Sequence, residues 1–211
     1  MKALTLEAYG KFTYGDSPDP EPGEGEVQIE VKACGICGSD VHGMDGSTGR
    51  RHPPIIMGHE AAGVISKLGT GVSGLNAGDR VTFDSTTYCG QCPYCQQGLV
   101  NLCENRQVIG VSCAEYRRHG AFAEKVVIPQ LGICSIPETV SFEQAALAEP
   151  VSIALHAVNR LPIQGGDTAV VVGTGMIGLF LVQALKAAGC SRVFAVDLAN
   201  EVDSDLITVL G

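Results

Sequence analysis

The feature that most constrains this chain is a short loop that contains four cysteines. In YCGQCPYCQQGLVNLC, residues 88–103, Cys89, Cys92, Cys95 and Cys103 have the spacing C-x2-C-x2-C-x7-C. Four thiolates this close in sequence can surround one tetrahedral Zn²⁺ and leave no position for solvent, which is the pattern of a closed structural site. We therefore predict that this loop folds around a structural zinc ion.

Two other readings of the loop are disulfide pairing and unrelated buried thiols. The chain has nine cysteines, an odd number, and its start, MKALTLEAYGKFTYG, lacks the apolar core and cleavage site of a signal peptide. Both observations argue against an oxidising compartment, where disulfides form. Unrelated core thiols would have no reason to share a loop rich in glycine, proline and glutamine. Zinc binding remains the favoured interpretation.

Composition excludes several classes of partner. The 211 residues, 45% of them hydrophobic, suit one large globular domain or two small ones. The formal charge of −9 and the scattering of the fourteen Lys and Arg argue against nucleic acid and against an anionic membrane surface. No stretch of about eighteen apolar residues suggests a membrane span. We expect small-molecule ligands and a reducing, cytoplasmic setting.

The first 150 residues have the pattern of a β-rich domain. Short apolar segments alternate with turns rich in glycine and proline, and they predict strands over residues 4–8, 27–33, 61–68, 80–84 and 121–128. From Ser141 the pattern becomes helical, because Ser141 and Gln144 can form a capping box. Pro150 suits the first turn of a second helix that runs to about Leu161.

The remainder has the pattern of one βαβ unit. A β-branched run over residues 168–172 predicts a strand, and residues 176–188 predict a helix that ends at Gly189. A second strand is predicted over residues 192–196. The fold class is therefore mixed α/β, with the β-rich part first.

A glycine turn joins the first of these strands to the helix. VVVGTGMIGLF places Gly173, Gly175 and Gly178 directly after the strand and at the start of the helix, the context that the G-x-G-x-x-G dinucleotide motif requires. The first glycine permits the tight turn, the second lets the backbone approach a pyrophosphate, and the third lets helix and strand pack. The pyrophosphate is then expected at the helix N-terminus.

The choice of dinucleotide follows from the next strand. Asp197 ends that strand, where its carboxylate can accept hydrogen bonds from both ribose hydroxyls. No Lys or Arg occurs after Arg192, so a 2′-phosphate would meet a carboxylate and find no downstream cation. The sequence therefore predicts NAD in preference to NADP.

Two other segments combine thiolate, imidazole and carboxylate groups, which are zinc donors. A catalytic zinc keeps three protein ligands and an open position, so it can gather ligands from separate segments. In CGICGSDVHG and GHE, the candidate residues are Cys37, Ser39, Asp40, His42, His59 and Glu60. Cys34 and Cys37 could instead form a redox C-x-x-C pair, but no thioredoxin-like βαβ pattern surrounds them. His59 could instead be a structural histidine.

Together these motifs resemble the zinc-dependent medium-chain alcohol dehydrogenase family, most closely its sorbitol and polyol dehydrogenase branch. The resemblance runs from residue 1 to about residue 198 and depends on CGICGSDVHG, GHEAAG, the cysteine loop, GAFAE, EPVSIALHA and VGTGMIG. It implies a GroES-like domain over residues 1–150 that carries a catalytic zinc. It also implies a partial NAD-binding Rossmann domain over residues 151–211.

The resemblance also implies a ligand set for the catalytic zinc. Cys37 and His59 correspond to firm ligands, and the third ligand is an acid, either Glu60 or Glu149, bound directly or through water. Alcohol dehydrogenases proper have a cysteine near the start of the helix that precedes the Rossmann fold. Residues 149–161 contain no cysteine and offer Glu149 instead. That difference favours the polyol branch.

By resemblance, the reaction is NAD-linked oxidation of a polyol or secondary alcohol to a ketone by hydride transfer. Ser39 then accepts the hydroxyl proton and His42 passes it towards solvent, although His42 could instead only hold its loop. Asp40 orients a ligand or its loop. The alternatives are amino-alcohol oxidation, as in threonine 3-dehydrogenase, and a catalytically silent zinc-binding module. The other histidines and cysteines are expected to be structural: Cys34, His52, Cys113, His119, Cys134, His156 and Cys190.

Only thirty-nine residues run from Gly173 to Gly211, whereas a dinucleotide fold has two βαβαβ halves. The final segment, ANEVDSDLITVLG, also does not continue the family pattern. We therefore expect a chain that is truncated within the cofactor domain, that binds zinc and that turns over little or no substrate. We expect the full-length form to be a homo-oligomer.

Overall fold

The structure, a computed structural model, describes residues 1–111 and 118–198. The chain divides into two compact units, Met1–Leu147 and Ala148–Gly211. Two sequence interpretations lie outside the described residues, namely the structural role of Cys113 and the pattern of residues 199–211. Among the described residues, no helix combines the length and the apolar character that a membrane crossing requires.

The first unit consists mainly of strands. In chain order they are β1 (Lys2–Ala8), β2 (Lys11–Asp16), β3 (Glu26–Gly35), β4 (Ile55–Ile56), β5 (Glu60–Leu68), β6 (Arg80–Phe83), β7 (Thr86–Thr87), β8 (Gln107–Val108), β9 (Lys125–Pro129) and β10 (Ile133–Ser135). An antiparallel sheet has the order β10-β6-β5-β3-β9, and a second sheet has the order β2-β1-β4. Strands β7 and β8 pair with each other beside the cysteine loop.

The core of this unit follows from alternation along the strands. Val27 and Ile29 on β3 are fully buried, and they pack with Ile65 of β5, Val81 of β6 and Ile128 of β9. Successive side chains of a strand point to opposite faces, so β3 buries one apolar row against its neighbours. This packing fixes the register of β3 against β5, and the register positions the candidate metal ligands.

Short helices complete the first unit. They are α1 (Gly38–Gly43), α2 (Pro93–Gln96) and α3 (Phe142–Ala146), with 3₁₀ turns at Val100–Leu102 and Gln130–Gly132. The predicted capping box at the start of α3 is confirmed, because the Ser141 hydroxyl accepts from the Gln144 N–H and the Gln144 side chain accepts from the Ser141 N–H. Helix α3 buries Ala145 and Ala146 against Ala62 of β5.

The second unit contains the predicted βαβ arrangement. Its elements are α4 (Ala148–Asn159), β11 (Thr168–Val172), α5 (Met176–Ala187) and β12 (Arg192–Val196). Strands β11 and β12 are parallel, with Thr168 opposite Arg192 and Val172 opposite Val196. The core contains Val158, Val171, Val182 and Leu185.

The mixed α/β fold class is confirmed, and most predicted elements lie within a few residues of their predicted bounds. The predicted strand over residues 121–128 is wrong in its first half, because β9 begins only at Lys125. The N–H groups of Ala121 and Phe122 donate instead to the carbonyls of Gly58 and Met57. These two N–H groups therefore bond to the turn before β5, while Ala123 forms an isolated bridge with Ala3 of β1 in place of a continuous strand ladder.

Candidate functional site

The pairing of β3 with β5 brings two separate segments of the first unit together. Gly35, the last residue of β3, lies opposite Glu60, the first residue of β5. Cys37 follows the end of β3 and His59 precedes the start of β5. One ligand atom from each of Cys37, His59 and Glu60 lies within 4.8 Å of the others.

The Glu60 carboxylate points to a cation at this position. Glu60 is only 1% exposed, and neither of its carboxylate oxygens has a hydrogen-bond partner. Burial of an unpaired carboxylate is strongly unfavourable, and buried charges are normally paired or bound to metal. A divalent metal held by the thiolate, the imidazole and this carboxylate would satisfy the Glu60 oxygens. The donor set fits zinc, which binds sulfur, nitrogen and oxygen ligands.

Asp40 connects two members of the group. It is 3% exposed, and its Oδ2 accepts from the backbone N–H of Cys37 at 3.2 Å. Its Oδ1 lies 3.6 Å from Nδ1 of His59, which is ion-pair range but too long for a hydrogen bond. Asp40 therefore holds the turn that carries Cys37 and faces the ring of His59.

The charges in this cluster shift both pKa values. Burial opposes ionisation of Asp40, but its contacts with His59 and Arg51 outweigh burial and lower the pKa of that carboxyl. Burial likewise opposes protonation of His59, but Asp40 and Cys37 outweigh it and raise the pKa of the imidazole to about 10. Asp40 and the thiol of Cys37 thus create a site that favours positive charge.

Arg51 is a member of the site that sequence reasoning missed. It is 2% exposed, and its Nη2 donates to Oδ1 of Asp40 at 3.1 Å and to Oγ and O of Ser39 at 3.4 Å. The first unit also contains Arg50, directly before it, and nothing in the sequence distinguishes the buried arginine from its neighbour. No local signal could have identified Arg51.

Helix α1 carries the two residues predicted to relay a proton. Ser39 and His42 both lie on α1 and both are exposed. The Ser39 hydroxyl accepts from Arg51, and the carbonyl of His42 accepts from the hydroxyl of Ser47. The geometry gives each side chain access to solvent. Their catalytic roles stay predictions.

The cysteine loop brings its four sulfurs together. The ligand atoms of Cys89, Cys92, Cys95 and Cys103 all lie within 4.8 Å of one another, and the Sγ atoms of Cys89 and Cys103 are 3.6 Å apart. A disulfide would place them at about 2.05 Å. Four sulfurs at about 2.3 Å from a tetrahedral ion lie about 3.8 Å apart. The spacing therefore fits a metal and not a disulfide.

Backbone N–H groups favour thiolate formation in the loop. The N–H of Cys92 donates to Sγ of Cys89, and the N–H of Cys89 donates to Sγ of Cys103, both at 3.3 Å. Backbone donors at Gln91 and Cys92 lower the pKa of Cys89 to about 6. Burial and the neighbouring Cys92 raise the pKa of Cys95 to about 12. Close sulfurs cannot all ionise together unless a cation compensates them.

In the second unit the glycine turn has the geometry that its sequence predicts. Gly173 has φ +94°, a conformation that other residues rarely adopt. Gly175 is the N-cap of α5. A Cβ on Gly178 would lie 1.9 Å from the carbonyl oxygen of Gly173, so only glycine lets α5 pack this close to the turn.

Asp197 also contacts this turn. Its Oδ2 accepts from the N–H and the hydroxyl of Thr174, the latter at 2.7 Å, and these bonds lower the pKa of the carboxyl. The carboxylate is therefore ionised and fixed beside the glycines. Its role towards a ribose stays a prediction. Glu149 lies in the first turn of α4, in the second unit, and its role as a metal ligand also stays a prediction.

Comparison with known proteins gives three findings. The model of the family described as "Alcohol dehydrogenase GroES-like domain" matches residues 23–138. Sorbitol dehydrogenase of Halalkalibacterium halodurans is 39% identical over 207 residues, which are 95% of this chain and 57% of that protein. Two solved structures are also similar.

The first of these is a protein from Sinorhizobium meliloti 1021 bound to NADP, with a TM-score of 0.90 and 36% identity over 100% of this chain and 59% of that one. The second is a short chain alcohol dehydrogenase from Escherichia coli CFT073 complexed with NADH, with a TM-score of 0.81 and 30% identity over 99% of this chain and 66% of that one. The chain thus spans little more than half the length of the curated relative.

Proposed function

Because this chain belongs to the family of the alcohol dehydrogenase GroES-like domain, we propose that it serves the zinc-dependent oxidation of a polyol or secondary alcohol to a ketone, with NAD as hydride acceptor. The likeness to a sorbitol dehydrogenase supports the polyol class. The observation that carries the proposal is that Cys37, His59 and Glu60 lie together, and that the buried carboxylate of Glu60 has no hydrogen-bond partner.

These three residues provide the donors of an open metal site. Sulfur, nitrogen and oxygen from three side chains leave a fourth position for substrate, the arrangement of catalytic zinc. A zinc ion bound there supplies Lewis-acid chemistry that lowers the pKa of a substrate hydroxyl. Since Nδ1 of His59 faces Asp40, Nε2 is the nitrogen left to bind the metal. Glu149, directly or through water, is the alternative acid ligand.

Ser39 and His42 carry the substrate's proton to solvent. The hydroxyl of Ser39 accepts the proton that the substrate hydroxyl loses, and His42 transfers it to solvent. Both side chains are exposed on α1, the helix that begins directly after Cys37, which supports this assignment. Histidine is the side chain that most often carries out such proton transfer. Cys89, Cys92, Cys95 and Cys103 hold a second, structural zinc that takes no part in the chemistry.

The second unit binds the dinucleotide. Gly173, Gly175 and Gly178 present the N-terminus of α5 to the pyrophosphate, and a bound NAD supplies the hydride acceptor. Asp197 accepts from the ribose hydroxyls and disfavours a 2′-phosphate. The preference for NAD depends on Asp197 and on the lack of Lys or Arg after Arg192. One similar structure contains NADP and another NADH, and fluorescence titration of this chain with NADH and with NADPH tests the preference.

A reducing, cytoplasmic setting is part of the proposal. The four loop cysteines can hold zinc only as thiolates, which a reducing setting preserves. Assembly of the full-length form as a homo-oligomer stays a prediction.

Metal analysis and enzyme assays test this function. We expect two zinc ions per chain, one of which is lost on mild chelation, and we expect Cys37→Ala to remove only the labile ion. We expect the 211-residue chain itself to turn over little or no substrate, so the assays use a chain completed through its cofactor domain. Zinc-dependent formation of NADH by that protein with sorbitol or 2,3-butanediol supports polyol oxidation, whereas a preference for threonine supports the amino-alcohol alternative. A single, tightly held zinc would contradict the proposal and favour a silent zinc-binding module.

A further inference from the structure

The geometry points to Arg51 as a positioning residue for the metal site. We propose that its guanidinium holds Asp40, and through Asp40 sets the orientation of the ligands Cys37 and His59. This inference depends on the proposed catalytic zinc at Cys37, His59 and Glu60. It adds a residue that the sequence motifs do not contain.

The first argument is that Arg51 is buried at a cost. Its side chain is almost inaccessible to solvent, and its Nε has no hydrogen-bond partner. A buried charge with an unmade hydrogen bond stabilises a fold poorly, and apolar replacements of buried ion pairs are often neutral or stabilising. Stability alone therefore does not account for an arginine at this position.

The second argument is what Arg51 contacts. Its Nη2 donates to Oδ1 of Asp40, the same oxygen that faces Nδ1 of His59. The other oxygen of Asp40 accepts from the N–H of Cys37. Each of the two ligands is thus one contact from Asp40, and Arg51 fixes that carboxylate through the oxygen that faces His59. Partners of this kind orient ligands, and their loss typically lowers metal affinity about 10- to 100-fold.

The third argument is that the fold makes room for this side chain. A Cβ on Gly43, the last residue of α1, would lie 2.9 Å from Cγ of Arg51. The aliphatic part of Arg51 therefore occupies the space that a side chain at Gly43 would need. The same Nη2 also reaches Oγ and O of Ser39 on this helix. Arg51 thus holds both the metal ligands and the proposed proton acceptor in one arrangement.

The planar guanidinium matters as well as its charge. One nitrogen of Arg51 serves acceptors on two residues of α1, and Nη1 donates to the carbonyl of Arg50 at 3.5 Å. A lysine ammonium is a compact point charge on a flexible stem, so it keeps the charge but not the rigid, planar placement of the Nη2 donor. Arg51→Lys should therefore keep the charge next to Asp40 and lose part of the orientation.

The test measures how fast the labile metal leaves. The 211-residue chain is loaded with zinc, mild chelation empties the open site, and the site is refilled with Co²⁺ while the loop zinc stays in place. For Arg51→Met we expect release of Co²⁺ to a chelator about 10-fold faster or more, together with a changed d–d absorption spectrum. For Arg51→Lys we expect an intermediate rate. A purely structural role would not move the spectrum.

Arg80→Met is the matched control. Arg80 is a partly buried arginine of the same unit that donates to the carbonyls of Pro137 and Val140. The Arg80→Met substitution should lower the free energy of unfolding and leave the Co²⁺ spectrum and release rate unchanged. The loop zinc reports folding in every variant. If Arg51→Met also loses the loop zinc, that variant is not folded, and the Co²⁺ release rate and spectrum of Arg51→Lys then test the role of Arg51.

Two failures are distinguishable. If the wild-type chain takes up no metal beyond the loop zinc, the proposed function fails and this inference falls with it. The other failure concerns Arg51 alone. If the wild-type chain binds Co²⁺ at the open site, and a folded Arg51→Met or Arg51→Lys variant releases Co²⁺ at the same rate with the same spectrum, only the role of Arg51 is overturned.

Discussion

Gly35 and Glu60 are cross-strand partners, and a Cβ added to Gly35 would lie 2.5 Å from Oε2 of Glu60 and 3.3 Å from its Cβ. The missing side chain at position 35 is therefore the space in which the buried carboxylate lies. Because Glu60 has no hydrogen-bond partner at either oxygen, its position depends on packing and on whatever cation it binds. A small change on the opposite strand should move it.

We expect Gly35→Ala to weaken the labile metal site. The added methyl group displaces the Glu60 carboxylate from Cys37 and His59, and affinity for zinc at this site should fall about 10-fold. Competition with a chelator, measured on the zinc-loaded chain, gives the affinity. The zinc of the cysteine loop should stay bound.

Gly38→Ala is the control for this substitution. A Cβ on Gly38 meets no atom within 4 Å, and the residue is the first of α1. Alanine there should leave both metal affinities unchanged. Equal losses in Gly35→Ala and Gly38→Ala would refute the role assigned to the space at Gly35.

The glycines of the turn should separate stability from cofactor binding. Gly178→Ala places a methyl group against the Gly173 carbonyl and should lower the free energy of unfolding by about 1–3 kcal/mol or more, as overpacking does. Gly175→Ala meets no atom within 4 Å, so the fold should tolerate it. If the pyrophosphate approaches Gly175, binding of NADH should nevertheless weaken. Denaturant titration and NADH fluorescence distinguish the two effects.

Removal of one cysteine should empty the loop site alone. Cys103 is buried, and its Sγ contacts Cys89. Cys103→Ser should release one zinc per chain and make residues 88–103 sensitive to protease, because a structural zinc supplies the folding energy of such a loop. Cys134→Ser, at an exposed free cysteine, is the control and should keep both metals. Retention of the chelation-resistant zinc ion by Cys103→Ser would contradict the assignment.

His119 should make the stability of the first unit depend on pH. Its Nδ1 accepts from the N–H of Ile56 at 3.1 Å, and partial burial lowers the pKa of the imidazole. A lowered folded pKa means that this contribution is fully present above the unfolded value near 6.5 and is lost as pH falls below it. In His119→Asn an amide oxygen can replace Nδ1 as acceptor without titrating.

We therefore expect the free energy of unfolding of the wild type to fall more between about pH 7 and pH 5 than that of His119→Asn. The effect should be small because the ring is partly solvated. Urea titrations of the zinc-loaded proteins across this range measure the difference. Parallel pH profiles would show that His119 does not contribute.

Local patterns could be predicted from the sequence because their causes are local. The β-branched run of β11 and the short, mostly apolar segment of β12 define strands whose observed bounds agree with the predicted ones. The cysteine loop is equally local, since its ligands lie within one short segment. The start of β9 was predicted wrongly because the N–H groups of Ala121 and Phe122 find partners in a distant turn.

The open site depends on contacts that are remote in sequence. Cys37 and His59 meet only because β3 and β5 pair in one register, and periodicity does not specify which strands pair. The same limit applies to Arg51, whose burial follows from the packing of α1 and not from any motif. The resemblance offered both Glu60 and Glu149 as the third ligand. The structure brings Glu60 within 4.8 Å of the other two donors, and the role of Glu149 stays a prediction.

The preassembled sulfurs of Cys89 and Cys103 make the metal-free loop chemically vulnerable. A thiolate is the reactive form of cysteine, and the backbone donors that prepare Cys89 for a cation also favour that form. An oxidant that finds the loop without its ion can therefore crosslink neighbouring sulfurs, after which they no longer coordinate. Bound zinc thus shields these thiols from oxidation, and after storage without reductant the metal-free loop should regain zinc only once a reductant has cleaved the crosslink.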